Sequence, residues 1–184
     1  MRGLGEMTAN INKIATEKDI ENVEKTPIED RLPYTNTYDS IKPTWQEHPD
    51  KEAVIYLPTG HPDEEPFIWT YDILFRKINQ FANYLNEIGV RHDEAVSAIL
   101  PNLLDTYAVL YGSEAQGITN PINPLLEIEH IAGIIKAGGG KTLVTIAPIV
   151  VSELWQKSLD AVTLAPNIEK IITINMAKYY PFLP

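Results

Sequence analysis

Cysteine is absent from all 184 residues, which removes disulfides, thiolate metal sites and a cysteine nucleophile. Positive charge is scarce: 15 Lys and Arg stand against 25 Asp and Glu, a net charge of -10. So acidic a chain lacks the basic face that phosphates demand, and nucleic acid is not expected as a partner. No apolar run approaches the roughly 18 residues of a membrane-spanning helix. The longest candidate, Leu143 to Val151, is interrupted by Thr145 and Pro148. The opening M-R-G-L-G-E-M lacks the apolar core of a secretory signal. A cytoplasmic protein, or one peripheral to a membrane, is the expectation. Histidine occurs only at His48, His61, His92 and His130, without paired ligand spacing, so no metal site is expected.

What is present reads as an ordinary globular composition, 44% hydrophobic and 22% charged. Residues 1–43 form a polar, irregular lead-in, with Met1 to Thr8 expected to be disordered and a short helix around Asn10 to Asn22. Pro27, Pro33 and Pro43 punctuate an extended course, and Thr44 to His48 makes one helical turn. Residues 44–184 are read as one α/β subdomain. Ala53 to Leu57 and Phe67 to Thr70 make a hairpin around the turn-rich Pro58 to Pro66. Leu74, Ile78, Phe81, Leu85 and Ile88 then form one apolar stripe at helical spacing. Thr70 is its N-cap and Gly89 its stop. Beyond it the chain alternates. Strands are expected at Ala95 to Leu100, Gly117 to Asn120, Thr142 to Ile146 and Ile171 to Ile174. The intervening helices are Leu103 to Gln116, Glu127 to Ala137, and one opened by Pro148 that buries Val151, Leu154, Trp155, Leu159 and Val162. Met176 to Pro184 trails off. Four strands with three helical connections imply a mostly parallel sheet with right-handed crossovers.

The densest run of backbone-special residues is Tyr111 to Leu126, Y-G-S-E-A-Q-G-I-T-N-P-I-N-P-L-L. Gly117 is read as a left-handed helix end. Pro121 and Pro124 cannot sit inside a paired central strand, and Asn120 and Asn123 are biased to extended or turn geometry. The stretch is thus a helix–strand–turn junction whose special residues serve the backbone.

Catalytic patterns do not survive scrutiny. Gly138 to Thr142 ends in G-K-T, but the first glycine of a P-loop would fall on Ile135, and a helix here precedes a strand. No G-x-G-x-x-G joins strand to helix. Ser97, Ser113, Ser152 and Ser158 lack the flanks of a nucleophile elbow. The acidic trio Asp63, Glu64 and Glu65 lacks alternating calcium-ligand spacing and reads as a loop tip. Asp105 and Glu114 are expected to face solvent.

The order of segments resembles a known family. W-T-Y-D-I-L at 69–74, leading into F-R-K-I-N-Q-F-A-N-Y-L-N-E-I-G-V, is similar to the first block of the AMP-forming, adenylate-forming superfamily. That superfamily includes acyl-CoA synthetases, firefly luciferase and peptide-synthetase adenylation domains. D-E-A-V-S-A-I-L-P-N and the run at 112–126 follow, the latter in a form typical of bacterial fatty acyl-CoA synthetases. H-I-A-G-I-I-K-A-G-G-G-K-T-L-V-T completes the series, so the resemblance covers about Trp45 to Ile174. One departure is Ile73, where the family often has an acid that would close a capping box with Thr70.

The resemblance implies the N-terminal α/β subdomain of an AMP-forming acid–CoA ligase. Such an enzyme uses ATP, Mg and CoA to convert a fatty acid to its acyl-CoA through an acyl-adenylate. It also implies that the ATP phosphate loop, the acyl pocket and the catalytic lysine lie later than Pro184. No catalytic, cofactor-binding or metal-binding residue is therefore assigned, and the 184 residues alone are expected to be inactive and to bind none of these cofactors. The expected partners are the remainder of the enzyme and, through an uncovered apolar face, further copies of the chain. A stand-alone interaction module, or a ligase for a different carboxylic acid, are the alternative readings.

Overall fold

The Leu74-to-Leu85 stripe builds the first wall of the core. In the computed structural model, which describes residues 14–32, 34 and 36–180, Leu74, Ile78 and Leu85 are buried. They lie on the helix Tyr71–Glu87. Thr70 caps it through its hydroxyl, which accepts from the Ile73 amide at 3.3 Å, and Gly89 closes it with φ +85°. Both features are legible in the sequence.

The chain divides into a unit up to residue 35 and a unit from residue 36 onward. The first carries helices α1 (Glu17–Glu24) and α2 (Ile28–Arg31). Thr16 and Asp19 start α1 with a reciprocal capping box. Neither helix has a buried residue. The expected helix at Asn10 to Asn22 thus lies further on, and residues 10–13, Met1 to Thr8 and Pro33 fall outside the described residues. Pro27 is the N-cap of α2 rather than a break in an extended run.

In the second unit α3 runs Thr37–Glu47, with Pro43 inside it. This corrects the extended lead-in and the single turn at Thr44. The Asn36 carboxamide oxygen accepts from the Asp39 amide at 2.8 Å. Trp45 stacks on Phe75 with centroids 4.5 Å apart, and Tyr38 packs on the same ring at 4.8 Å. Capping and aromatic packing outweigh the bond that Pro43 removes. The hairpin follows as β1 (Glu52–Tyr56) and β2 (Phe67–Thr70), antiparallel, leading directly into α4, the helix Tyr71–Glu87.

Next come β3 (Ala95–Ile99), α5 (Leu104–Gln116), β4 (Ile118–Pro121), α6 (Ile128–Gly138), β5 (Thr142–Ile146), α7 (Leu154–Leu164) and β6 (Lys170–Ile174). All neighbouring pairs are parallel, in the order β4-β3-β5-β6. The fold is α/β as expected. Every residue of β3 and β5 is buried, as central parallel strands require. Alternation assigns Val96, Ala98, Val144 and Ile146 to one face with Leu104 and Val109 of α5. Ile99 and Leu143 go to the other face with Ile131 and Ile135 of α6 and Ala161 of α7. Pro121 ends β4, and β4 is an edge strand, so the missing amide costs no central ladder bond.

Three details differ from expectation. Gly117 closes α5 with φ -150° and ψ -138°, not left-handed. Glycine is needed there because a Cβ would stand 2.7 Å from the Glu94 carbonyl oxygen. The helix expected from Pro148 begins only at Leu154. Val150 and Val151 are exposed, and Ile149 and Ser152 form an isolated bridge; Ser158 and Ala161 are the fully buried residues of the helix, and Leu154 and Val162 pack against the core as expected. Finally, the chain after β6 does not trail off: a 3-10 turn, Ala177–Tyr179, buries Tyr179, while residues 181–184 lie outside the described set.

Candidate functional site

β3 and β4 end side by side, with Ala98 paired to Pro121. From β3 the chain turns at Pro101 and Asn102 into α5 on one face of the sheet. From β4 it passes through Ile122 to Leu126 into α6 on the opposite face. A crevice lies beyond these strand ends, walled by α5 on one side and by the Pro121 to Pro124 run on the other. Here it encloses about 290 Å³. Ala98, Leu100, Leu110 and Ile122 supply its apolar lining, with Pro121 and Pro124, while Asn102, Thr106 and Asn123 supply polar groups.

Local chemistry holds this shape. The Ile122 amide donates to Ala98 O at 2.8 Å, extending the β3–β4 ladder past its last strand residue. Asn123 Oδ1 accepts from the Leu125 amide at 2.9 Å, the side-chain turn that asparagine favours. Lys157 Nζ donates to Pro124 O at 3.0 Å, tying the loop to α7. Across the crevice, Thr106 Oγ donates to Pro101 O at 2.7 Å and accepts from the Leu103 amide at 3.3 Å. Asn102 and Asn123 are exposed.

The lining carries no charged side chain. It suits a neutral, hydrogen-bonding portion of a ligand and does not fit a magnesium-bound triphosphate, which needs cations and carboxylates around it. Among the described residues no group of three His, Asp or Glu is placed to hold a metal.

The motifs singled out by sequence fall elsewhere. Gly138 to Lys141 joins the C-terminal end of α6 to the start of β5, at the other end of the strands from the crevice. Gly139 caps α6 at φ +67°, and a side chain on Gly140 would overlap the Ala95 carbonyl. Lys141 Nζ meets Glu169 at 2.8 Å, a bond that holds the lysine above and the glutamate below their ordinary ranges. Backbone geometry and one surface ion pair account for this segment. In the hairpin loop, Glu64 accepts from the Thr59 amide and hydroxyl and from the Gly60 amide. Asp105 departs from expectation: its side chain is 16% exposed and bonds Lys178 and Tyr179. Glu114 is half-buried, not solvent-facing, and its Oε2 is buried without a partner among the described residues. The run Pro121 to Pro124 serves the backbone and also walls the crevice. Its prolines and asparagines were the available signal, but only the packing of α5 beside this run reveals the crevice.

Known proteins converge on one family. The sequence pattern of the family described as AMP-binding enzyme matches residues 41–180. The marinolic acid–CoA ligase of Pseudoalteromonas sp. (strain SANK 73390) is 30% identical over 156 residues, 85% of this chain and 24% of that protein. The N-terminal domain of FACL13 from Mycobacterium tuberculosis superposes with a TM-score of 0.65 at 18% identity, over 82% of this chain and 36% of that one. An anthranilate CoA ligase, AuaEII, solved with anthranoyl-AMP, gives 0.65 at 19% identity, over 82% and 28%. The present chain thus spans about a quarter of the curated relative's length and about a third of these structures.

Proposed function

Since this chain belongs to the AMP-binding enzyme family, we propose that it is the N-terminal part of an AMP-forming fatty acyl-CoA ligase. The match across residues 41–180, together with an acid–CoA ligase 30% identical over most of the chain, carries this reading. In the whole protein a carboxylate oxygen attacks the α-phosphorus of ATP, releasing pyrophosphate and leaving an acyl-adenylate. The thiol of CoA then attacks the acyl carbon and AMP departs. The 184 residues supply scaffold and the uncharged crevice wall, and the groups that handle phosphate and magnesium come from elsewhere in the protein. Acid specificity is set outside these residues, because a fatty acyl CoA synthetase and an anthranilate CoA ligase share this fold.

The protein works in the cytoplasm or at a membrane surface. Among the described residues no helix is long and apolar enough to cross a membrane. The chain by itself associates with further copies through its exposed hairpin face, where Ile55 and Ile68 pair across the strands, both more than a third exposed.

The test is ATP–pyrophosphate exchange with a series of fatty acids. Exchange is expected from a polypeptide of the relatives' full length and none from residues 1–184. Exchange by the 184-residue chain sinks the division of labour. A full-length protein that exchanges with no carboxylic acid sinks the ligase reading.

A further inference from the structure

Residues 175–180 leave β6 and bind two other parts of the unit. Asn175 Oδ1 accepts from the Ala177 amide at 3.0 Å and starts the 3-10 turn. Tyr179, 4% exposed, sets its ring edge-on to Tyr56 at 5.2 Å and to Phe67 at 5.1 Å, both on the hairpin. Its hydroxyl donates to Asp105 Oδ2 at 2.7 Å. Burial first, and then the hydrogen bond to Asp105 and that carboxylate's charge, push the hydroxyl's pKa up, so it stays protonated and a donor. Lys178 Nζ reaches the same carboxylate at 2.8 Å. Tyr180 places its hydroxyl 3.0 Å from that of Tyr56.

Asp105 lies in the first turn of α5, between Leu104, a core residue, and Thr106, which walls the crevice. The N-cap of α5 is Leu103, whose side chain cannot accept a hydrogen bond, so this helix start lacks the usual oxygen cap. Among the described residues two sets of side-chain bonds hold the turn: those of Thr106 to Pro101 and Leu103, and those of Asp105 to Lys178 and Tyr179. A helical turn moves as a unit. We infer that residues 175–180 are a strap that fixes the first turn of α5 and, through it, the Thr106 wall of the crevice. The strap cannot lift without exposing Tyr179 and freeing Asp105. By reciprocity, whatever tightens the crevice wall also tightens the strap.

Amide hydrogen exchange on this chain tests the coupling. Tyr179→Phe keeps the ring and deletes the donor. It should speed exchange at residues 101–107 and at the strap by roughly fivefold or more, leaving α6 at the wild-type rate. Tyr180→Phe deletes the hydroxyl contacts to Tyr56 and Pro58 O, both on the hairpin side, and should leave residues 101–107 unchanged. Lys178→Met, which keeps the buried ring and its hydroxyl, should accelerate the same two segments to a smaller degree and carries the test if Tyr179→Phe does not fold. Strap exchange that rises with residues 101–107 unaltered overturns the inference. So does equal acceleration of α6, or of residues 101–107 in Tyr180→Phe, since either marks general loosening.

Discussion

Glu64 organises the hairpin loop through bonds from the Thr59 amide and hydroxyl and the Gly60 amide. Desolvation raises its pKa, but those bonds outweigh it and leave the group below the ordinary glutamate range. A depressed folded pKa means the stabilisation is complete above the unfolded value and disappears as pH falls through the lower folded one. The Thr59 and Gly60 amides should therefore stay protected at neutral pH and become exchange-labile only as pH falls below the ordinary glutamate range. NMR-detected exchange across that range checks it. A Glu64→Gln chain showing the same pH profile would refute it. At this scale the acidic cluster was legible as a loop tip, because turn residues surround it. The capping role was not, because it depends on the loop folding back five residues onto Thr59. Gly117 shows the same limit. Sequence marks it as a helix end, yet its need for glycine comes from the Glu94 carbonyl 23 residues away.

Thr70 is both the end of β2 and the cap of α4, so it joins two elements at one residue. With Ile73 at the third position of the helix, no acid returns a bond to complete the box. Thr70→Ala should cost about 0.5–2 kcal/mol, read as a lower urea midpoint at unchanged slope. A midpoint equal to wild type would show that packing of the α4 stripe holds the helix start unaided. Elements with strong periodicity or continuous apolar runs, such as α4, β3 and β5, are visible in the sequence because burial imposes those patterns. α3 and the start of α7 are not. Pro43 argues locally against a helix, and the Tyr38 and Trp45 stacking on Phe75 overrides it. Val150 and Val151 argue for a buried helical face, and the bridge at Ile149 and Ser152 takes that segment out of the helix.

For the molecule as a whole, the hairpin turns Val54, Tyr56 and Trp69 inward to the core and leaves Ile55, Leu57 and Ile68 exposed on the other side. Adjacent exposed apolar side chains favour association. Sedimentation across a concentration series should find dimers or larger species, and Ile55→Lys with Ile68→Lys should restore the monomer. A wild-type monomer at every concentration contradicts it. By itself the sequence determined the α/β class, the absence of thiol chemistry, and the family through five segments in order. Those properties follow from composition and from burial patterns written locally along the chain. Tertiary structure alone decided the rest. Strand order β4-β3-β5-β6 sends α5 and α6 to opposite faces, and α5 packed beside the ends of β3 and β4 forms the crevice. The placement of Tyr179 against Asp105, 74 residues apart, turns an apparently loose tail into a strap. Both depend on pairings between distant residues, which no local pattern encodes.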